Sequence, residues 1–351
     1  MVFTDIRLQN YRSYKDASFE LGGGVSIVVG PNGAGKSNMV EAMLLVANGR
    51  LYRGRENIVN HKSTWARIDV HTGQDTTRTV KIRSREGKTP EVQFDINKRT
   101  YKRLPNPQKQ PAVLFEPNNL GLMHGEPQAR REYLDSLSAE LNDGYRTIIL
   151  SYRRALAQRN ALLKTPQINS GQLFVWNVRL SELAEAVVKR RLDVLEQIGS
   201  KLPQTYSGIS GKKTKLDLRY ETKFRRENYS ADLMKALEND IEKDSARGFT
   251  GSGPHREDFS AYVNGQPVAT TASRGETRSL LLALKVIELG MLEDKTGSRP
   301  LLLLDDVFSE LDNTRRKALT GFLSNYQTVI TTTDADIVLK NFSQNCQIIP
   351  I

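Results

Sequence analysis

The 351-residue chain has a single cysteine, Cys346. One thiol excludes an intramolecular disulfide framework and any zinc site built from cysteines, and it fits a reducing, cytoplasmic setting. No apolar run approaches the roughly 20 residues that span a bilayer. The opening MVFTDIRLQNYRSY mixes charges into a strand-like alternation, unlike a signal peptide or an anchor. A soluble protein without membrane contact is expected. The chain also has no internal repeat, no low-complexity tract and no guanine-reading Asn-Lys-x-Asp. With 38% hydrophobic residues it can still bury a core, in two or three domains or in one large domain carrying an insertion.

Charge of one sign is in excess, 51 Lys and Arg against 40 Asp and Glu. The excess is uneven: residues 50–109 hold 15 basic and 6 acidic residues, and GKKTKLDLRYETKFRR (211–226) holds 7 and 2. Solvated faces are one reading. A track for a phosphate backbone, with sequence-independent and salt-sensitive affinity, is the other.

Apolar and polar positions alternate over the first 30 residues, then give way to VSIVVG, a short run of buried-strand type. The Gly-rich GPNGAGKSN (30–38) follows, and NMVEAMLLVANG reads as a helix closed by Gly49. From residue 66 to 103, ARIDVHT, RTVKIRS, EVQFDI and RTYKR, separated by turn residues, predict an antiparallel sheet carrying most of the basic excess. After Gln128 the period changes. Leu134, Leu137, Leu141, Tyr145, Ile148, Ile149, Tyr152 and Leu156 recur at three and four, and a second stripe from Trp176 runs to about Leu202. Both predict an antiparallel helical lobe whose stripes are core. Strands return near Thr250, with Asn264-Gly265 placed as a hairpin turn.

In Gly30-Pro31-Asn32-Gly33-Ala34-Gly35-Lys36-Ser37 the glycines let backbone N–H groups curl around phosphates, Lys36 reaches the β and γ oxygens, and the Ser37 hydroxyl is suited to Mg²⁺. The helix that follows turns its positive end on the same anion. Such a loop needs a second strand with an acidic end, and PLLLLDD (300–306) supplies it. Asp305 is the expected metal ligand, directly or through water, and Asp306 the group that polarises the attacking water. Ser37 and Asp305 lie 268 residues apart yet must approach one ion, so the chain between them is an insertion or side lobe on a single nucleotide fold. GTPases and small kinases keep these elements closer. With no guanine motif, ATP is the expected nucleotide. Between them, Ser273-x-x-Glu276 ahead of an apolar helix is a capping box. The same residues match the signature motif of ABC-type ATPases, whose serine and helix N-terminus face the γ-phosphate bound by the other protomer of a dimer.

Over nearly its whole length the chain resembles the RecF family of bacterial DNA recombination and repair ATPases, relatives of the SMC and Rad50 proteins. The marks are LQNYRSY (8–14), the loop with NMVEA after it, LMHGEPQARREYLD (122–135), SYRRALAQRNALL (151–163), GPHRED (253–258), ASRGETRSL (272–280) and LLLDDVFSELD (302–312). The loop is common to many ATPases; the middle and late blocks together are specific. The resemblance implies an α/β fold, an ABC-type P-loop ATPase head of mixed sheet and antiparallel β-subdomain, formed by residues 1–117 and 250–351. A mainly helical lobe, 118–249, stands where SMC proteins carry a coiled coil. It also implies ATP-dependent homodimerisation, binding of gapped DNA at junctions of single and double strands, and work with RecO and RecR to load RecA in repair, replication restart and the SOS response.

Carried over by residue, the resemblance gives Gly30 to Asn38 (Asn38 included) the phosphates, Ser37 and Asp305 the Mg²⁺, and Asp306 the water. Ser273, Arg274 and Gly275 would take the partner's ATP, Asp312 the D-loop position, and Arg12 the phosphate-reaching arginine of Rad50-like heads. Some features depart from the wider pattern. Asp306 replaces the usual glutamate with a carboxylate one methylene shorter, so hydrolysis is expected to be slow, as in a switch rather than a motor. Glu276 stands where a glutamine is usual, Thr331 to Thr333 replace the switch histidine, and no Q-loop glutamine is evident near LFEPNN. Two other readings compete. The nucleotide-binding subunit of a membrane transporter is opposed by the basic composition and the missing histidine. A nuclease is opposed by the lack of a separate acidic cluster after the ATPase residues.

Overall fold

The computed structural model describes residues 1–51, 53–73, 76–116, 121–167, 169–334 and 346–351. The opening alternation forms the antiparallel hairpin β1 (Phe3–Tyr11) and β2 (Tyr14–Glu20), with Phe3, Ile6 and Leu8 turned inward. The apolar run is β3 (Val25–Val29), and the Gly-rich segment leads into α1 (Lys36–Asn48), closed by Gly49 at φ 75°. The predicted basic sheet appears as β4 (Trp65–Thr72), β5 (Thr77–Arg85), β6 (Lys88–Ile96) and β7 (Arg99–Tyr101). With the first hairpin it makes one antiparallel sheet in the order β2-β1-β4-β5-β6-β7. Ile68, Val80, Ile82 and Phe94 form its buried face, which also takes in Arg78, and most other charged residues alternate to the opposite face. β8 (Ala112–Phe115) ends this part.

Next comes the short α2 (Gly121–His124), ahead of the expected stripes, then α3 (Pro127–Leu141), α4 (Tyr145–Leu163) and α5 (Ser170–Ser210), the helices expected from the period-3.6 stripes. α5 continues through Pro203, past the predicted end near Leu202. Within the second basic run lies β9 (Leu216–Glu221), a strand the charge pattern concealed; α6 (Tyr229–Asn239) and α7 (Ile241–Arg247) follow. β10 (Asp258–Val263) pairs with β9 and turns at Asn264-Gly265, both at positive φ, into the short β11 (Gln266–Pro267). Two helices, α8 (Val268–Thr271) and α9 (Arg274–Thr296), complete this stretch.

The remaining elements are β12 (Leu301–Asp305), α10 (Asn313–Leu323), β13 (Thr328–Thr332) and β14 (Cys346–Pro350). They build a five-stranded parallel sheet in the order β14-β3-β13-β12-β8. α1 contacts strands of both large sheets, which is why it is apolar on every side: Met39, Val40, Ala42, Met43, Leu44, Leu45 and Val46 are all buried.

By contact the chain divides into two compact units, Met1–Asn119 with Gly208–Gly211 and Lys285–Ile351, and Leu120–Ser207 with Lys212–Leu284. The strand that follows residue 250, β10, pairs with β9 of the preceding segment. The boundary expected at 117 and 118 lies outside the described residues.

The second unit is bound by buried polar contacts. Arg159 is fully buried and donates to Asn177 Oδ1 (2.7 Å), Asp244 Oδ2 (2.8 Å), Thr250 Oγ1 (2.7 Å) and the Leu237 carbonyl (3.0 Å). Arg191 donates to Asp135 (2.9 Å), the Tyr220 hydroxyl (3.1 Å) and the Pro254 carbonyl (2.7 Å). Glu257 accepts from the hydroxyls of Tyr220, Thr222 and Tyr229 at 2.7–2.9 Å. His255 Nε2 donates to the Thr250 carbonyl (3.0 Å), so Nδ1 accepts from the Tyr152 hydroxyl (2.6 Å). Burial lowers the His255 pKa to about 4.

Since an unfolded histidine titrates at about 6.5, the unfolded chain takes up a proton that the folded one refuses as pH falls from about 6.5 to 4, and stability drops by roughly 3 kcal/mol over that window. Glu257, raised by burial, acts in the opposite sense nearby, so the comparison must be with a variant. His255→Gln should lose less stability than the parent between pH 7 and pH 5 in chemical denaturation. Equal losses would contradict this.

Candidate nucleotide-binding site

The parallel order inserts β13 between β3 and β12, so the C-terminal ends of all three strands open on one edge, the usual place for a ligand in an open α/β sheet. Between β3 and α1 the loop turns through Gly33 (φ 85°) and Gly35 (φ 110°). A Cβ on Gly35 would stand 2.8 Å from Ser13 Oγ and 3.0 Å from the Tyr14 ring, so only glycine fits. α1 begins without a side-chain cap, which leaves its positive end and first N–H groups to the loop. Pro31 and Asn32 are exposed, and the Asn38 amide donates to Ser13 Oγ (2.9 Å), tying the β1–β2 turn to the helix. The Lys36 ammonium donates to the carbonyls of Gly30 (2.7 Å) and Pro31 (2.9 Å), across the mouth of the loop.

Ser37 and Asp305 meet as expected: Ser37 Oγ donates to Asp305 Oδ1 at 2.9 Å. Thr331 Oγ1 donates to the same oxygen at 2.7 Å, and the Arg53 guanidinium lies 3.7 Å from Oδ2. Asp306 adopts φ 51°, and its backbone N–H is shared between Thr331 Oγ1 (3.0 Å) and the Thr331 carbonyl (3.2 Å). Its Oδ1 is buried without a partner among the described residues. A buried carboxylate oxygen left unsatisfied is costly and calls for a water or a cation. The hard oxygens of Ser37 and Asp305, in contact with each other, are a donor pair that suits Mg²⁺.

Thr331 is the functional residue that sequence reading did not single out. It stands on β13 in register with Asp305 on one side and Val28 on the other. One hydroxyl there serves both aspartates, giving a hydrogen to Asp305 and taking one from Asp306. The only signal was the run Thr331 to Thr333 in place of a histidine.

Other expected residues lie elsewhere. Arg12 adopts φ 52°: its guanidinium makes a bidentate pair with buried Glu41 (2.8 and 2.9 Å) and donates to the carbonyls of Glu56 (2.8 Å) and Gly54 (3.3 Å). This holds the segment after α1 in place. Asp312 caps α10, accepting from the Arg315 N–H (2.9 Å) and pairing with the Arg315 guanidinium. Ser273, Arg274 and Gly275 begin α9 in the second unit, with Ser273 and Arg274 exposed. The capping box forms in both directions: the Ser273 N–H and hydroxyl donate to Glu276 Oε2 (2.9 and 2.8 Å), and Ser273 Oγ accepts from the Glu276 N–H (3.2 Å). The LFEPNN segment lies partly outside the described residues.

The two basic clusters differ. In the second, Arg219 pairs with Asp217 and lies over the Tyr262 ring, Arg225 pairs with Asp232, and Lys223 donates to Ser252. In the first, Arg83, Arg85, Lys88, Lys98, Arg99, Lys102 and Arg103 are all exposed.

The family model described as RecF/RecN/SMC N terminal domain matches residues 2–350. A protein of Heliobacterium modesticaldum named DNA replication and repair protein RecF is 33% identical, covering 93% of this chain and 91% of its own. Two solved structures of the recombination mediator protein RecF in the RecFOR pathway, designated RecF-ATPrS and RecF-ATP, superpose with TM-scores of 0.85 and 0.83 at 27% and 28% identity. They cover 99% and 95% of this chain, and 95% and 92% of theirs. An Smc head bound to the C-winged helix domain of ScpA shares the fold, with a TM-score of 0.51 over 97% of this chain and 92% of its own at 14% identity. The architecture is that of an ABC-type ATPase head with a mainly helical insertion.

Thr331→Val deletes a donor and an acceptor at once without changing volume. It should lower ATP turnover roughly tenfold while ATP affinity changes little, and Thr331→Ser should restore turnover. Single-turnover hydrolysis beside equilibrium ATP binding checks this; an unaffected Thr331→Val would remove Thr331 from the mechanism.

Proposed function

Since the chain belongs to the RecF family, within the RecF/RecN/SMC N terminal domain group, we propose that it is an ATP-dependent, DNA-binding recombination mediator. The observation that carries this is the 2.9 Å contact between Ser37 and Asp305, from opposite ends of the chain. Gly30 to Ser37 cradle the phosphates, and Lys36 exchanges its loop carbonyls for β and γ oxygens. Ser37 and Asp305 hold Mg²⁺, which when bound neutralises phosphate charge. Asp306 orients the water. Because its side chain is short and its backbone is held at positive φ, its reach is limited, and turnover is slow.

ATP acts as glue between two copies. Ser273, Arg274 and Gly275 present a capped helix end to the partner's γ-phosphate, with Asp312 at the same junction. The exposed cations of residues 83–103 attract the DNA backbone, which supports binding of gapped DNA at single- to double-strand junctions. Partnership with RecO, RecR and RecA is the role that the family relationship supports, in the cytoplasm. No helix among the described residues is long and apolar enough to cross a membrane. The transporter-subunit alternative is not favoured, because the family match runs from residue 2 to 350.

In sedimentation, ATP should convert monomer to dimer, Asp306→Asn should prolong the dimer, and Lys36→Ala and Ser273→Arg should abolish it. Ser273→Asp keeps the helix cap but sets a negative charge against the phosphate, so it too should stay monomeric. Turnover should lie below about 1 s⁻¹, at the slow end for enzymes. A monomer with ATP and DNA bound, or turnover of many per second, would overturn the switch.

A further inference from the structure

On the outward face of the six-stranded sheet three cations are matched. Arg7 pairs with Asp16 (2.8 Å), Arg67 with Asp69 (2.7 Å) and Lys81 with Asp95 (2.7 Å). At one end of that face the matching stops. Trp65 opens β4 directly opposite Arg83, and β5 passes into β6 through a hairpin that pairs Arg85 with Lys88. Arg83, Arg85 and Lys88 are exposed, and none has an ion pair among the described residues. Glu91 lies opposite Arg83 and Glu86 in the turn, so the net positive charge of this end is modest.

Trp65 is 44% exposed, although an indole normally buries most of its surface. By strand alternation it shares the outward face with Arg67 and Arg83. Its backbone is pinned: Ser63 Oγ donates to the Trp65 carbonyl (3.0 Å) and accepts from its N–H (3.3 Å). The neighbouring Ser84 N–H donates to the Thr64 carbonyl (2.8 Å). The ring is therefore held out on a rigid strand, beside three unmatched cations.

Duplex binding draws on dense positive charge, which this end lacks. An aromatic face flanked by a few cations is what an unpaired base and its phosphates recognise, because only an unstacked base offers its π-face. We propose that Trp65 is a stacking platform for an unpaired base of single-stranded DNA, with Arg83, Arg85 and Lys88 on the adjoining phosphates. The inference rests on the DNA-binding reading above and specifies which form of DNA this end of the sheet takes.

The chain has two tryptophans, Trp65 and Trp176, so a Trp176→Phe background makes emission report Trp65 alone. With ATP present, the probes are an oligo-dT of about 16 nucleotides, a blunt duplex of the same length, and that duplex with a dT tail. The oligo-dT and the tailed duplex should quench Trp65, and the blunt duplex should not. Trp65→Ala should weaken oligo-dT binding roughly tenfold without changing its salt slope, and Trp65→Phe should retain most of the affinity. Arg83→Gln combined with Arg85→Gln should instead flatten the salt slope. Thermal melting of Trp65→Ala, together with the Phe variant, separates lost stacking from lost folding. Unchanged oligo-dT affinity in Trp65→Ala, or equal quenching by the blunt duplex, overturns the inference while the DNA-binding reading stands. If the parent protein binds none of the three probes, both fall together.

Discussion

One oxygen of Asp305 accepts hydrogen bonds from two hydroxyls, Ser37 on the helix after the Gly-rich loop and Thr331 on the strand between. The ATPase unit is arranged to make that convergence possible. It requires the strand order β3-β13-β12, so that the loop strand and the acidic strand are neighbours of a common third. It also requires the beginning and the end of the chain to fold as one body, whatever lies between them. β3 and β12 are short apolar runs because both are interior strands of a parallel sheet, and α1 is apolar all round because it contacts both large sheets.

The middle of the chain follows a different constraint. Its family-specific blocks contribute charged and polar groups to the interior of the second unit, where Arg159, Arg191 and Glu257 are each fully engaged. Removing one member of such a network strands the others at low dielectric, at a cost of about 3–5 kcal/mol for a broken buried ion pair. These residues hold α3, α4, α5 and β10 in fixed relation.

What was legible in the sequence was whatever local pattern alone decides. The loop, α1 with its closing glycine, the Asn264-Gly265 hairpin and the helical stripes all follow from turn chemistry and periodicity. β9 was hidden, because seven cations in sixteen residues mask the alternation of Leu216, Leu218 and Tyr220. The pairing of β10 with β9 was not legible either, because strand pairing is a tertiary fact. Arg12 matched a motif position, but its role depends on buried Glu41, twenty-nine residues on. Thr331 could not be chosen from three consecutive threonines until the register with Asp305 was known.

In the proposed mechanism Asp305 couples the loop to the metal. Its most direct test is calorimetric titration of ATP into the parent protein and Asp305→Asn, with Mg²⁺ and with chelator. The parent should bind more tightly with Mg²⁺, by roughly 10- to 100-fold. The asparagine variant should lose that gain while keeping the metal-free affinity supplied by Lys36 and the loop. If Asp305→Asn gains as much from Mg²⁺ as the parent does, Asp305 is a structural acceptor only, and the metal is held by other groups.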